Sequence, residues 1–473
     1  MFMGAISKQL HDAVIRTMKN GVSCICNIDS KVYSENNASV SVVPKKIVTM
    51  SIVQNYDTAT YDSITATIDV SVEEAIVILS NYTNLKMQLV FNRVDKDSGK
   101  IIEQVLPEIQ EYKVIIANAS DMLKQFTKSE LVPSSNAGEE SRDQSYTPGE
   151  VQSRRINLEL QLFEEDVYEK RSRPVNVQLS KCKLSDGLHC VANALDISDV
   201  KITQVSNERQ FNNLTIPPGS TLETVFDNLQ KKHGIYPKGI AGYYRDKTLY
   251  VYPPYETNPD TIRTCNLYKV KEDSYLGAPT YHYDEGDDVH IVLNKETKLD
   301  NLSEKTTENT GNYFVSLRAD TMHDTDKLMN GKEGKVRNNN LLSISSKNEK
   351  MASDNKVLAK FTEPTNNAYT MSSDMSQGMC KVLNAVWQYA WPFNVEPGMK
   401  VLYHYEDNNA YKTTTGILSS VTYTLMPIAM QGRQEYTWAA AIMARLTVDT
   451  DNSDTVDTNT LPTYNSTSNG KSL

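Results

Sequence analysis

The chain has 473 residues, which at about 150 residues per domain leaves room for roughly three domains. Its 49 Lys+Arg against 59 Asp+Glu give a formal charge of −10, a balance that excludes a chain whose main work is neutralising nucleic-acid phosphates. With 39% hydrophobic residues, a mean hydropathy of −0.48 and no run near the ~20 apolar residues a bilayer requires, membrane-spanning, collagen-like and disulfide-scaffold classes are excluded as well. The first segment, residues 1–25, carries Ile6, Leu10, Val14 and Met18 at helical spacing, with Gly21 where a C-cap is wanted. It reads as an amphipathic docking helix, and its mixed charges argue against an export signal or a membrane anchor.

From Lys45 to Val70 the pattern is β, most clearly where Ile64, Ala66, Ile68 and Val70 alternate with polar residues. Ser71 and Glu74 form a capping box, and Val72, Ala75, Ile76 and Leu79 give one apolar helix face. Met87, Leu89 and Phe91 read as a strand, Asp95–Gly99 as a turn, and another strand starts at Ile101. Residues 128–154 are polar and break the pattern. Ile156, Leu158, Leu160 and Leu162 then alternate again, so the first ~175 residues read as one small barrel or sandwich with a large inserted loop.

A second, α+β unit follows. Pro217-Pro218-Gly219 is a turn, Ser220 and Glu223 a second capping box, and Leu222, Val225, Phe226 and Leu229 a helix ended by Gly234. Residues 240–244 and 248–252 read as a Tyr-rich hairpin. Residues 298–355 are polar, with strand character at Tyr313–Leu317 and Leu341-Leu342. Met379, Val382, Leu383, Val386 and Trp387 predict a helix within 375–389, and Met399–Tyr405, Thr415–Leu425 and Glu435–Leu446 predict three strands. Residues 450–473 carry no periodicity and are expected to be disordered or docked on a partner.

No hydrolase, zinc-protease, P-loop or dinucleotide motif is present, so no catalytic residue and no cofactor are assigned. The pairs Cys24/Cys26 and Cys182/Cys190, even with His189, lack structural-zinc spacing. Asp284–His290 concentrates four carboxylates and a histidine beside His282. It departs from an EF-hand loop, and an exposed acidic turn between strands weighs more than a metal site. The 26 Tyr against 9 Phe are more informative, because Tyr suits surfaces that meet and stay partly wet. Tyr243, Tyr244, Tyr250, Tyr252, Trp387, Trp391, Tyr403, Tyr405, Tyr423, Tyr436 and Trp438 are the candidate interface residues. Strand preference for aromatics is the plain alternative.

The closing unit carries Glu396-Pro-Gly-Met-Lys-Val-Leu402, then Gly416-Ile-Leu-Ser-Ser-Val-Thr-Tyr-Thr424, then Glu435-Tyr-Thr-Trp-Ala439, with the predicted helix before and the acidic Ser/Thr tail after. This order resembles the end of the baseplate hub proteins of contractile-tailed phages of the T-even type. The Ser220–Leu229 helix and its Tyr-rich hairpin are similar to that family's middle domain. The resemblance implies a mainly-β fold with α+β elements. It implies two tube-like β domains, each with one helix, at 26–175 (insert 128–154) and 356–449. Between them lie a middle α+β domain at 176–297 and a polar linker at 298–355. It further implies a non-enzymatic virion component, assembled in the host cytoplasm. Three copies would form a pseudo-hexameric ring adapting the sixfold tail tube to the threefold central spike. Partners would be the chain itself, the spike, tube or tube-initiator proteins, wedge proteins and the tape measure, with DNA passing unbound. A receptor- or glycan-binding peripheral tail protein using the Tyr clusters, or a metal-dependent hydrolase using Asp284–His290, are the rival readings.

Overall fold

The computed structural model describes residues 16, 21, 24–95, 98–105, 110–119, 155–207, 209–236, 239–255, 263–269, 282–293, 298–301, 313–316, 321–322, 341–344, 381–407, 410–430 and 433–450. Of the expected N-terminal segment 1–25, Arg16 is among them in helical conformation, together with Gly21, Cys24 and Ile25, the last already in a strand. The insert 128–154 and the tail 451–473 lie outside them.

Strands β1 (Ile25–Ser34), β2 (Asn37–Val42), β3 (Lys46–Gln54) and β4 (Ser63–Ser71) come first, followed by helix α1 (Val72–Ser80). The alternating residues of β4, Ile64, Ala66, Ile68 and Val70, are all buried. The capping box forms as read: Ser71 N–H donates to Glu74 Oε2 at 2.7 Å, and Glu74 N–H to Ser71 Oγ at 3.2 Å. α1 buries Val72, Ala75, Ile78 and Leu79 against the sheet, each large side chain contributing about 2 kcal/mol. Strands β5 (Leu85–Val94), β6 (Ile101–Gln104), β7 (Gln110–Ile116) and β8 (Arg155–Phe163) complete the local set. The turn before β6 is held by Asp95 Oδ1, which accepts from Ser98 N–H and Oγ–H at 2.7 Å each.

Helix α2 (Glu165–Ser172) leads into β9 (Val175–Cys182), α3 (Leu184–Ala194), β10 (Asp199–Ile202), β11 (Phe211–Ser220), α4 (Leu222–His233), β12 (Ala241–Arg245) and β13 (Thr248–Tyr252). These elements enclose a second core around Leu188, Val191, Leu214, Phe226, Leu229 and Leu249. α2 and α3 are additions to the sequence reading. The Pro217-Pro218-Gly219 turn is a bulge inside β11, with Gly219 at φ +83°, and the register shifts between Ile216 and Ser220. The cap of α4 lies one residue beyond Ser220: Thr221 N–H donates to Thr224 Oγ1 at 2.9 Å. Asp246 and Lys247 both take positive φ, the requirement of a tight two-residue hairpin turn.

The remaining strands are β14 (Thr264–Lys269), β15 (His282–Glu285), β16 (Asp288–Leu293), β17 (Lys298–Asn301), β18 (Tyr313–Ser316), β19 (Thr321–Met322), β20 (Leu341–Ile344), β21 (Lys381–Gln388), β22 (Lys400–Asp407), β23 (Ala410–Met430) and β24 (Arg433–Thr450). β18, β19 and β20 form a small separate sheet. The helix expected within 375–389 is a correction: Lys381–Gln388 is strand β21, paired with Ala439–Leu446. Leu383, Ala385 and Trp387 all point inward at period two, and the neighbouring β24 strand outweighs a helical pattern that the same apolar residues also satisfy. The second strand-rich unit therefore has no helix among its described residues.

The last two strands organise the molecule. β23 and β24 form one hairpin of 21- and 18-residue strands whose two ends serve two different bodies. At the distal end, Val421–Thr424 pair with β3 and Tyr436–Thr437 pair with β1. This closes a circuit of pairings β1–β5–β7–β8–β4–β3–β23–β24 and back to β1. At the proximal end, Ala410–Ile417 pair with β22 and Ala439–Leu446 with β21. There the strand order is β15–β16–β14–β22–β23–β24–β21–β17, with β14 parallel to both β16 and β22. One apolar core runs through both bodies, from Val32 and Leu89 to Leu267, Ile291 and Val401. By this pairing β14 to β16 share a sheet with β22, and the last hairpin of the chain pairs with strands of the first unit as well as of the closing one.

Candidate functional site

The aromatic candidates are placed first. Trp387, Trp438, Tyr243, Tyr403, Tyr423, Tyr252, Tyr244 and Tyr436 are buried within the single chain. Tyr250, Trp391 and Tyr405 are half-buried. Two of the polar tips are satisfied internally: Tyr423 Oη donates to Val395 O at 3.0 Å and Tyr436 Oη to Ile47 O at 2.9 Å, while the buried Trp387 and Trp438 indole N–H groups have no hydrogen-bond partner among the described residues. Trp387 and Tyr423 both stand opposite Ala440 in the register, a small residue between two large ones. These eight side chains pack against other parts of the same chain.

The tyrosine stack marks a three-way joint. Tyr243 of β12 lies face to face with Tyr56 at 3.9 Å and with Tyr250 at 4.6 Å between centroids. Tyr56 belongs to the β3–β4 connection, where its Oη donates to Asp62 Oδ1 at 2.6 Å. Gln54 donates to the other carboxylate oxygen at 3.1 Å. Arg245 ends β12, pairs with Glu396 of the β21–β22 connection, and sits 5.2 Å over the Tyr243 ring. Tyr244 N–H donates to Thr60 O at 2.8 Å. Arg445 of β24 pairs with Asp57 and lies 4.4 Å over Tyr255. Burial opposes the charge on Arg245, but Tyr56 and Glu396 outweigh it and hold its pKa above the ordinary value. Burial, reinforced by Asp62 and Asp246, raises the Glu164 carboxyl to about 7. Asp62, Arg245 and Glu396 are far apart in sequence, and no local spacing marks them as partners.

The acidic segment is a hairpin turn. β15 and β16 flank Gly286, which takes φ +63°. Two of its four carboxylates are engaged by cations: Arg263 donates to Asp284 Oδ1 at 3.1 Å, and Arg16 to Glu285 Oε2 at 3.0 Å. Among the described residues no group of three or more His, Cys, Asp and Glu side chains is arranged to hold a metal ion. A cavity of about 450 Å³ lies beside the turn, lined by Glu103, Trp391 and Asn394 among others. The histidines form part of a ring row across four strands. Tyr283 stacks on His290 at 4.6 Å, Tyr268 on His404 at 4.8 Å, and Tyr268 Oη hydrogen-bonds His290 Nδ1 at 2.8 Å. Burial lowers His282 and His404 to about 4 and moves His290 in the same direction.

Several solved structures are similar to this chain. A tail protein from Neisseria meningitidis MC58 is 11% identical, with 91% of this chain and 98% of that one covered, at a TM-score of 0.41. The 43 kDa tail protein of prophage MuSo2 from Shewanella oneidensis is 8% identical, with 88% and 97% covered, at 0.40. An E. coli type VI secretion component, described as structurally similar to the T4 bacteriophage tail proteins gp27 and gp5, is 9% identical, with 88% and 76% covered, at 0.38. No protein-family model matches the sequence, and no curated protein does either. Among the described residues no helix is long and apolar enough to cross a membrane.

Proposed function

We propose that this chain is a structural component of a phage tail baseplate, its central hub. Three copies close into a pseudo-hexameric ring that joins the sixfold tail tube to the threefold spike and leaves a channel through which DNA passes without specific binding. The observation that carries the reading is the shared hairpin: β23 and β24 place two eight-strand bodies side by side in one chain, so three chains offer six such bodies. A ring of this kind is a head-to-tail interface closed by rotation, and its role is geometric rather than catalytic. In this proposal the first ring domain comprises 24–163 with the distal hairpin. The middle domain is 164–255, and the second ring domain is 263–301 with 381–450. The spike, tube or tube-initiator proteins, wedge proteins and tape measure are its partners in the virion, after assembly in the host cytoplasm. Light scattering of the purified chain tests it, alone and with the spike. The expected mass is three times the 53.2 kDa of one chain, with a central hole in negatively stained particles. A monomer that persists at high concentration with the spike present overturns the ring.

A further inference from the structure

We infer that the wall of the first body contains a slot that receives an extended, acidic segment of a partner protein as an added strand. The inference goes beyond the hub reading and rests on geometry independent of it. β1 pairs with β5 along its whole length from Cys26 to Ser34. On its other edge it pairs with β24 only at Ile25 and Cys26, and with β2 only from Val32 onward. Residues 27–31 therefore have no strand on that edge among the described residues. The opposite wall repeats the feature. β3 pairs with β4 from Lys46, yet β23 reaches its other edge only at Ser51–Gln54. Tyr436 Oη on Ile47 O is the side-chain bond that reaches into the gap.

Between these edges lies a cavity of about 500 Å³, lined by Asn27–Lys31 on one side and Val43–Ile47 on the other. It is bounded where β24 and β2 rejoin β1. Five residues of strand span about 17 Å, and alternate N–H and C=O groups of such an edge are available to a new strand. Ile28 and Val90 supply half-buried apolar floor, and Val43 stands 66% exposed at the rim. Lys31, Lys45 and Lys46 line the slot against a single carboxylate there, Asp29, which already accepts from Asn92 at 3.1 Å. The surplus is cationic in a chain whose net charge is −10, so the complementary occupant is acidic. Nucleic acid fits less well, because it makes no use of paired backbone edges or an apolar floor.

The test uses the full chain and the fluorescein-labelled heptapeptide Asp-Thr-Val-Asp-Thr-Val-Asp. Anisotropy should report binding that weakens about tenfold or more in Lys31→Glu/Lys45→Glu/Lys46→Glu and with added salt. A probe N-methylated at alternate amides should lose binding, since it cannot complete the ladder, and amide exchange within 27–31 should slow when the unmodified probe is bound. Absence of binding, equal binding of the N-methylated probe, or slowed exchange confined to other strands each overturns the slot. Lysine-to-alanine variants that aggregate while the native chain ignores the probe would identify the lysines as edge guards, and that too overturns it. An oligomer that the probe dissociates assigns the slot to a second copy and overturns the partner assignment.

Discussion

His404 lies between Asn266 Oδ1, 3.2 Å from its Nε2, and Thr413 Oγ1, 3.0 Å from its Nδ1, with the Tyr268 ring against its face. A neutral ring donates from Nε2 and accepts at Nδ1, and both bonds are then made. Burial, with His290 nearby, lowers its pKa from 6.5 to about 4, and burial does the same to His282. Because the folded values lie below the unfolded one, the unfolded chain binds more protons between pH 6.5 and 4. Stability is full above that window and falls as pH drops through it, by on the order of 3 kcal/mol per histidine. Thermal unfolding at pH 7, 5.5 and 4 should show this loss. His404→Gln, which keeps a polar side chain, should be less stable at pH 7 but lose less on acidification. An unchanged pH slope would refute the assignment. The histidines could be found in the sequence but not their surroundings: His404 and Asn266 are neighbours only because β14 and β22 pair in parallel. The tyrosines are legible as contact formers, but spacing does not carry the strand register that brings Tyr243 onto Tyr56 and Tyr250.

The elements legible in the sequence are the ones whose partners lie close in sequence or whose period or capping is unmistakable: β4 and β8 from alternation, α1 from its capping box and apolar face, and the β12–β13 hairpin from its turn. β21 shows the opposite case. Val382, Leu383, Val386 and Trp387 satisfy helical spacing, and only the 381–388 to 446–439 register with β24 decides for strand. α3 was readable from Leu184, Leu188 and Val191, but Gly187 masks it. A Cβ at Gly187 would come within 2.4 Å of Leu214 Cδ2, a side-chain tip that can move aside. Gly416 is less forgiving. It sits at a register shift in β23 within the stretch that pairs with β22, and an added Cβ would meet the Arg445 carbonyl oxygen at 2.4 Å. Backbone cannot yield as a leucine tip does, so Gly416→Ala should cost about 2 kcal/mol or more, against about 1 kcal/mol for Gly187→Ala. Chemical denaturation of the two variants checks the order, and a Gly416→Ala protein as stable as the parent would show that the strands can separate there without penalty.

At the scale of the whole molecule, the hairpin makes the two bodies interdependent. Residues 24–163 contain β1 to β8 and α1, but their circuit is open between β3 and β1 until the distal parts of β23 and β24 fill it. Without the hairpin, the edges at Ser51–Gln54 and Ile25–Cys26 lose their strand partners. The inner faces of Ile52, Met50 and Phe91 then lose the cover of Tyr423 and Trp438, residues that share their core. Side chains of this size stabilise by about 2–3 kcal/mol each when fully buried, and an isolated domain has only about 5–15 kcal/mol in total. A fragment of residues 24–163 should therefore be compact but loosely packed, binding a hydrophobic dye and unfolding without a sharp transition. Adding a 381–450 fragment in trans should restore a cooperative transition, because that piece carries the missing strands. The joint at Arg245, Tyr56 and Glu396 ties the middle unit to both bodies, so the restored complex should sharpen further when 164–255 is present. Calorimetry of the fragments separately and mixed reads each step, and a cooperative transition from 24–163 alone would show that the first body needs neither strand and that the two bodies are separable after all.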